Sequence, residues 1–194
     1  SGSDIPAIVD IDGDGDLDIL TFDFSGVYIE LHQNMSMERF GKPYQLGTEQ
    51  EPVFVRNGDC WGNFHKSETS AGFVLGADCN VVANPEKKVM HAGNTILLED
   101  MDGDGIKDLL VGHVSDAYIK KKKNDSKTII GNFIQVSPSF PAKDPAQFHT
   151  FLAAFMEDVD FDGVKDLLVS TNVPESDHSL SDFKSSNWLY KNTG

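Results

Sequence analysis

The sequence predicts an all-β chain, on three observations. One nine-residue pattern occurs three times, as DIDGDGDLD from Asp10 to Asp18, DMDGDGIKD from Asp100 to Asp108 and DVDFDGVKD from Asp158 to Asp166. Each copy runs into a short apolar stretch of strand length: Ile19-Leu20-Thr21-Phe22, Leu109-Leu110-Val111 and Leu167-Leu168-Val169. Further short apolar segments follow each copy in the same order, so one supersecondary unit is repeated.

In the first unit Ala7-Ile8-Val9 is the strand before the loop, Ile19 to Phe22 the strand after it, Asp23 to Gly26 a turn and Val27-Tyr28-Ile29-Glu30-Leu31 the next strand. The second unit repeats the order after Val111, with Ala117-Tyr118-Ile119 as its later strand. In the third, a longer polar loop through Pro174 to Ser186 leads to Trp188-Leu189-Tyr190. Strand, loop, strand, turn, strand is the grammar of β-propeller blades. Blade one is placed at about 5–56, a cysteine-containing insertion at about 57–89, blade two at about 90–137 and blade three at about 148–194.

The loops start 90 and then 58 residues apart, whereas a four-stranded blade needs roughly 40 to 50 residues. The first interval therefore carries the insertion, and either that segment supplies an irregular extra blade or the chain is an arc cut from a larger propeller. Propellers typically close with about four to eight blades. The expected architecture is a partial propeller, an arc of about three to four blades beginning and ending at repeat boundaries, with D-x-D-x-D-G-x-x-D loops in its hairpins.

The spacing within the loops is that of calcium ligands. Ca²⁺ takes about six to eight oxygens at roughly 2.3 to 2.6 Å, so a short loop must curl and aim alternate carboxylates inward. Those are Asp10, Asp12, Asp14 and Asp18 in the first loop, Asp100, Asp102, Asp104 and Asp108 in the second, and Asp158, Asp160, Asp162 and Asp166 in the third. Position 7 is expected to offer a main-chain carbonyl, from Asp16, Ile106 and Val164, whose varied side chains suit that role. Gly15, Gly105 and Gly163 at position 6 permit the sharp turn. Position 4 is Gly13 and Gly103 but Phe161 in the third loop. An EF-hand shares the opening but needs a chelating Glu at position 12 and flanking helices. Thr21, Val111 and Val169 stand there, between strand-like flanks. Up to three Ca²⁺ ions are expected, and their role is structural.

The chain has 194 residues, 39% of them hydrophobic, enough for a core. Its 31 Asp and Glu against 16 Lys and Arg give a formal charge of -15, which disfavours nucleic-acid and anionic-membrane binding. Three Ca²⁺ would bring that charge to -9, so much of the acidity belongs to the loops. Cys60 and Cys79 suit a disulfide in the extracellular space, where calcium is plentiful, and two unrelated buried thiols in a reducing one. No apolar run approaches the ~20 residues of a membrane span. Nor is there a signal peptide, and Ser1-Gly2-Ser3 reads as a cloning scar or trimmed terminus.

These loops, with the apolar triplets after them and the blade-ending phrases Tyr28 to Asn34 and Trp188 to Gly194, resemble the VCBS and FG-GAP repeat family, the calcium-loop propellers that include the integrin α-subunit head. The close Tyr190-Lys191-Asn192-Thr193-Gly194 is similar to VCBS blades of large secreted Bacteroidetes proteins, many of which carry a type IX secretion signal. Arg56 to Phe64 and Lys165 to Ser170 are also similar to that group. The resemblance implies a secreted or cell-surface scaffold that binds a protein or glycan, or other blades and domains of its own protein. A second reading is an accessory, carbohydrate-binding module of a secreted hydrolase.

Catalytic signatures are absent: there is no G-x-S-x-G, H-E-x-x-H or G-x-x-x-x-G-K. His32, His65, His91, His113, His149 and His178 are scattered without a repeating partner, and the best-spaced carboxylates are committed to calcium. The chain is therefore not read as an enzyme. Lys120 to Lys123 read as a solvated hairpin tip, and Asn34-Met35-Ser36 and Asn124-Asp125-Ser126 as sequons without consequence. Phe148, Phe151, Phe155 and Trp188 read as core between blades before they read as a sugar platform.

Overall fold

The computed structural model describes residues 4–45, 47–48, 53–58, 60–67, 72–76, 93–114, 120–124, 129–147, 151–171 and 186–194, with backbone alone for 120–123. The chain divides into two compact units, one of Pro6–His91 with Asn124–Gln135, the other of Ser1–Ile5, Ala92–Lys123 and Val136–Gly194. Among the described residues regular structure is mostly β, in several small antiparallel sheets, none of which closes on itself.

The first loop lies in a sheet ordered β1 (Ala7–Val9), β2 (Asp18–Phe22), β3 (Ile29–Asn34), β4 (Phe54–Arg56). Strand β2 alternates: Asp18, Leu20 and Phe22 are buried and the residues between them half-buried, the period-two pattern of a strand with one face inward. Leu20 pairs with Leu31, both fully buried. The predicted turn is present, with Asp23 at its centre. Its carboxylate accepts the N–H groups of Ser25 at 3.1 Å, Val27 at 2.8 Å and Tyr28 at 2.9 Å. Val27 and Tyr28 thereby spend their donors on the turn, and the strand expected from Val27 starts at Ile29.

A short helix α1 (Ser36–Phe40), which no apolar periodicity announces, follows β3. Asn34 Oδ1 accepts the N–H of Ser36 at 3.1 Å and Asp16 Oδ2 that of Met37 at 2.9 Å, satisfying donors the first turn leaves over. Gly41, at φ 65°, ends it by donating to Met37 O.

The hairpin β5 (Phe64–Lys66) and β6 (Phe73–Leu75) belongs to the same unit. It hangs on an aromatic core in which Phe64 meets Phe133 and Phe73 edge-on, with centroids 5.4 and 5.6 Å apart, and Trp61 meets Phe133 at 5.5 Å. Trp61 is buried, and its Nε1–H donates to Ile129 O at 2.7 Å. Trp61→Phe is expected to cost about 1 to 2 kcal/mol by leaving that carbonyl without this donor and opening a small void. Urea denaturation with an unchanged m-value checks it. Cys60 is disulfide-bonded, and Cys79 lies outside the described residues.

The later loops sit in a sheet ordered β10-β9-β8-β7, made of β7 (Asn94–Glu99), β8 (Asp108–His113), β9 (Lys120–Asn124) and β10 (Phe133–Ser137), and in a three-stranded sheet of β11 (Leu152–Glu157), β12 (Asp166–Thr171) and β13 (Asn187–Tyr190). All six residues of β8 are buried, the apolar Leu109-Leu110-Val111 at its centre and Asp108 and His113 at its ends. Leu110, Ala146, Leu152, Leu167 and Val169 form a core cluster, and Met101, Phe140, Met156 and Tyr190 pack against it.

Lys120 to Lys123 are not a hairpin tip. They form most of β9, with Val111 opposite Lys120 and Leu109 opposite Lys122. Pairing with a buried strand overrides their weak strand propensity. Phe151 is buried, whereas Phe155 is exposed. Ala117-Tyr118-Ile119, Phe148 and 174–185 lie outside the described residues. No helix among the described residues is long and apolar enough to cross a membrane.

Candidate metal centre

Each loop is curled by its position 1 aspartate. Asp10 Oδ1 accepts the N–H of Gly13 at 2.7 Å and Oδ2 that of Gly15 at 3.1 Å. Asp100 does the same with Gly103 and Gly105, both at 2.8 Å. In the third loop Asp158 Oδ2 accepts from Gly163 at 2.9 Å, but Oδ1 takes the N–H of Asp162 at 3.0 Å, one residue later than in its counterparts. Phe161 stands there at φ 61°, in the left-handed region that Gly13 and Gly103 occupy at 80° and 77°, and its ring is 90% exposed.

Position 5 turns back on the next bend in all three. Asp14 Oδ1 accepts from Asp16 at 3.0 Å, Asp104 from Ile106 at 2.9 Å and Asp162 from Val164 at 2.9 Å. The position 9 carboxylates, Asp18, Asp108 and Asp166, open β2, β8 and β12 and are buried. Asp18 accepts the N–H groups of Ile11 at 3.0 Å and Asn34 at 2.8 Å, and Asp166 those of Val159 at 3.3 Å and Asn192 at 2.8 Å.

Oxygens of Asp10, Asp12 and Asp18 lie within 4.8 Å of one another, as do those of Asp100, Asp102 and Asp104, those of Asp158, Asp160 and Asp166, and those of Asp12, Asp14 and Glu38. Carboxylate oxygens gathered in this way are hard donors, the kind that Ca²⁺ takes as ligands. Asp108 and Asp162 stand outside these groups. The Asp16 carboxylate is likewise in none of them.

The electrostatics of the first loop ask for positive charge. Asp14 Oδ2 and Asp16 Oδ1 are shut off from solvent and accept no hydrogen bond from the described residues, a costly state for a carboxylate oxygen. Burial pushes the Asp18 carboxyl up to about 6, against the N–H groups of Ile11 and Asn34, which favour its charged form. Burial also raises Asp16 against the Met37 N–H, with Asp14 and Asp12 adding repulsion. A divalent cation reverses both effects.

The residues that sequence reasoning missed return from the following strand. Gln33 Nε2 donates to Asp12 Oδ2 at 2.9 Å and to Glu38 Oε1 at 3.1 Å. Asn34 Nδ2 donates to the position 8 carbonyl of Leu17 at 3.3 Å, and Asn192 Nδ2 to that of Lys165 at 3.2 Å. Lys191 forms ion pairs with Asp160 and, at 3.3 Å, with Asp162; its ammonium holds Asp160 below the usual carboxylate range. A signal was in view: Gln33-Asn34, Lys123-Asn124 and Lys191-Asn192 each fall at the end of the strand after the loop strand. No family model, curated protein or solved structure matches the chain.

Proposed function

We propose that this chain is a segment of a calcium-stabilised β-propeller, the binding scaffold of a secreted or cell-surface protein. The observation that carries the reading is the recurrence of one loop geometry. Position 1 anchors the curl, position 5 turns it, and the position 9 aspartate is buried at the head of the next strand, all three times. The grouped carboxylates and the orphaned oxygens of Asp14 and Asp16 fit a hard divalent cation with oxygen ligands. Asp10, Asp12, Asp14 and Asp18 would hold it in the first loop, and Asp100, Asp102, Asp104 and Asp108, then Asp158, Asp160, Asp162 and Asp166, in the others. Bound calcium would neutralise carboxylates that otherwise repel, and so tie each loop to the sheet behind it.

Each loop contains its own ligands, so the sites are independent. Asp104→Ala is expected to weaken one site at least tenfold in a calcium titration while the other two still fill. Loss of all calcium binding in that variant would contradict the reading. The scaffold role is tested on calcium-loaded protein by a glycan array and a pull-down, and silence in both would count against it.

A further inference from the structure

Two sheets present a side chain to their own loop from the same register. In the first, Ile19 pairs with His32, and the next residue, Gln33, reaches Asp12 at position 3. In the three-stranded sheet Leu167 pairs with Tyr190, and the next residue, Lys191, reaches Asp160 at position 3 and Asp162 at position 5. The following asparagine binds the position 9 aspartate through its N–H at 2.8 Å in both, so the two positions are equivalent. One is a neutral amide and the other an ammonium.

We infer that Lys191 is a built-in counter-ion of the third loop, which competes with a divalent cation for Asp160 and Asp162 and sets that loop's affinity below the first loop's. The inference rests on the calcium reading for its competitive half only. A unit charge about 4 Å from a divalent ion in water opposes binding by an amount worth roughly an order of magnitude or more in affinity. The third loop's carboxylates are then partly neutralised with or without calcium, whereas Gln33 brings no charge to the first.

Replacing Lys191 tests both halves. In Lys191→Gln, calorimetric calcium titration is expected to show one site tightened about tenfold, and melting in EDTA a lower midpoint than the parent protein. The reciprocal Gln33→Lys is expected to weaken a tight site by a similar factor. Unchanged affinities and an unchanged EDTA midpoint in Lys191→Gln would overturn the inference. Should the parent protein bind no calcium, the calcium reading fails, and the EDTA midpoint alone then decides whether Lys191 is the counter-ion.

Discussion

In EDTA the protein is expected to melt about 10 to 20 °C below its midpoint in millimolar calcium, and added Ca²⁺ to restore it. Each site filled at a hundred times its dissociation constant contributes about 2.7 kcal/mol. Two such sites contribute roughly 5 kcal/mol, and at this chain length each kcal/mol moves the midpoint by about 2 to 4 °C. The first loop contributes through the relief of Asp14 and Asp16, each with one carboxylate oxygen shut off from solvent and without a donor among the described residues, and of the buried Asp18 carboxyl. Melting followed by circular dichroism, with magnesium as the control ion, checks it. An identical curve in a verified metal-free sample removes the structural role for calcium. Magnesium is expected to restore little, since its smaller shell demands near-octahedral geometry and gives up water reluctantly.

Gly112→Ala is expected to destabilise the protein by about 3 kcal/mol or more, although it adds one methyl group far from any loop. Gly112 lies in β8 opposite Thr95, where a Cβ would fall 1.8 Å from the Leu152 carbonyl oxygen and 2.4 Å from Thr95 Oγ1. The Thr95 hydroxyl donates to Leu152 O at 2.6 Å and accepts the Gly112 N–H at 3.2 Å. A methyl group there breaks this relay and separates β11 from β7 and β8, with Leu152 leaving the core cluster. Urea denaturation measures the loss, and a change below about 1 kcal/mol would rule out so close an approach.

The loops and their flanking strands were legible because their information is local. Nine consecutive residues contain the carboxylates, the bends and the buried position 9 aspartate, and the apolar run after each copy has no length for a helix. The Asp23 turn was legible for the same reason, though the competition of its carboxylate for the Val27 and Tyr28 donors, which delays β3, was not. Lys120 to Lys123 misled because charge describes a side chain's preference and says nothing of the strand beside it. Helix α1 was hidden because its first-turn donors are satisfied in part by Asp16, 21 residues earlier.

By itself the sequence determined where the three loops lie, which carboxylates they offer and that the segments flanking them are strands, since each depends on neighbours within a few residues. Only the tertiary structure decided which side chains come back to those loops. Asn34 reaches Asp18 across 16 residues, Asn192 reaches Asp166 across 26, and Lys191 reaches Asp160 across 31. Strand pairing sets these encounters: once β2 is in register with β3, and β12 with β13, the residue after the last pair must land on its own loop, whether it brings an amide or a charge.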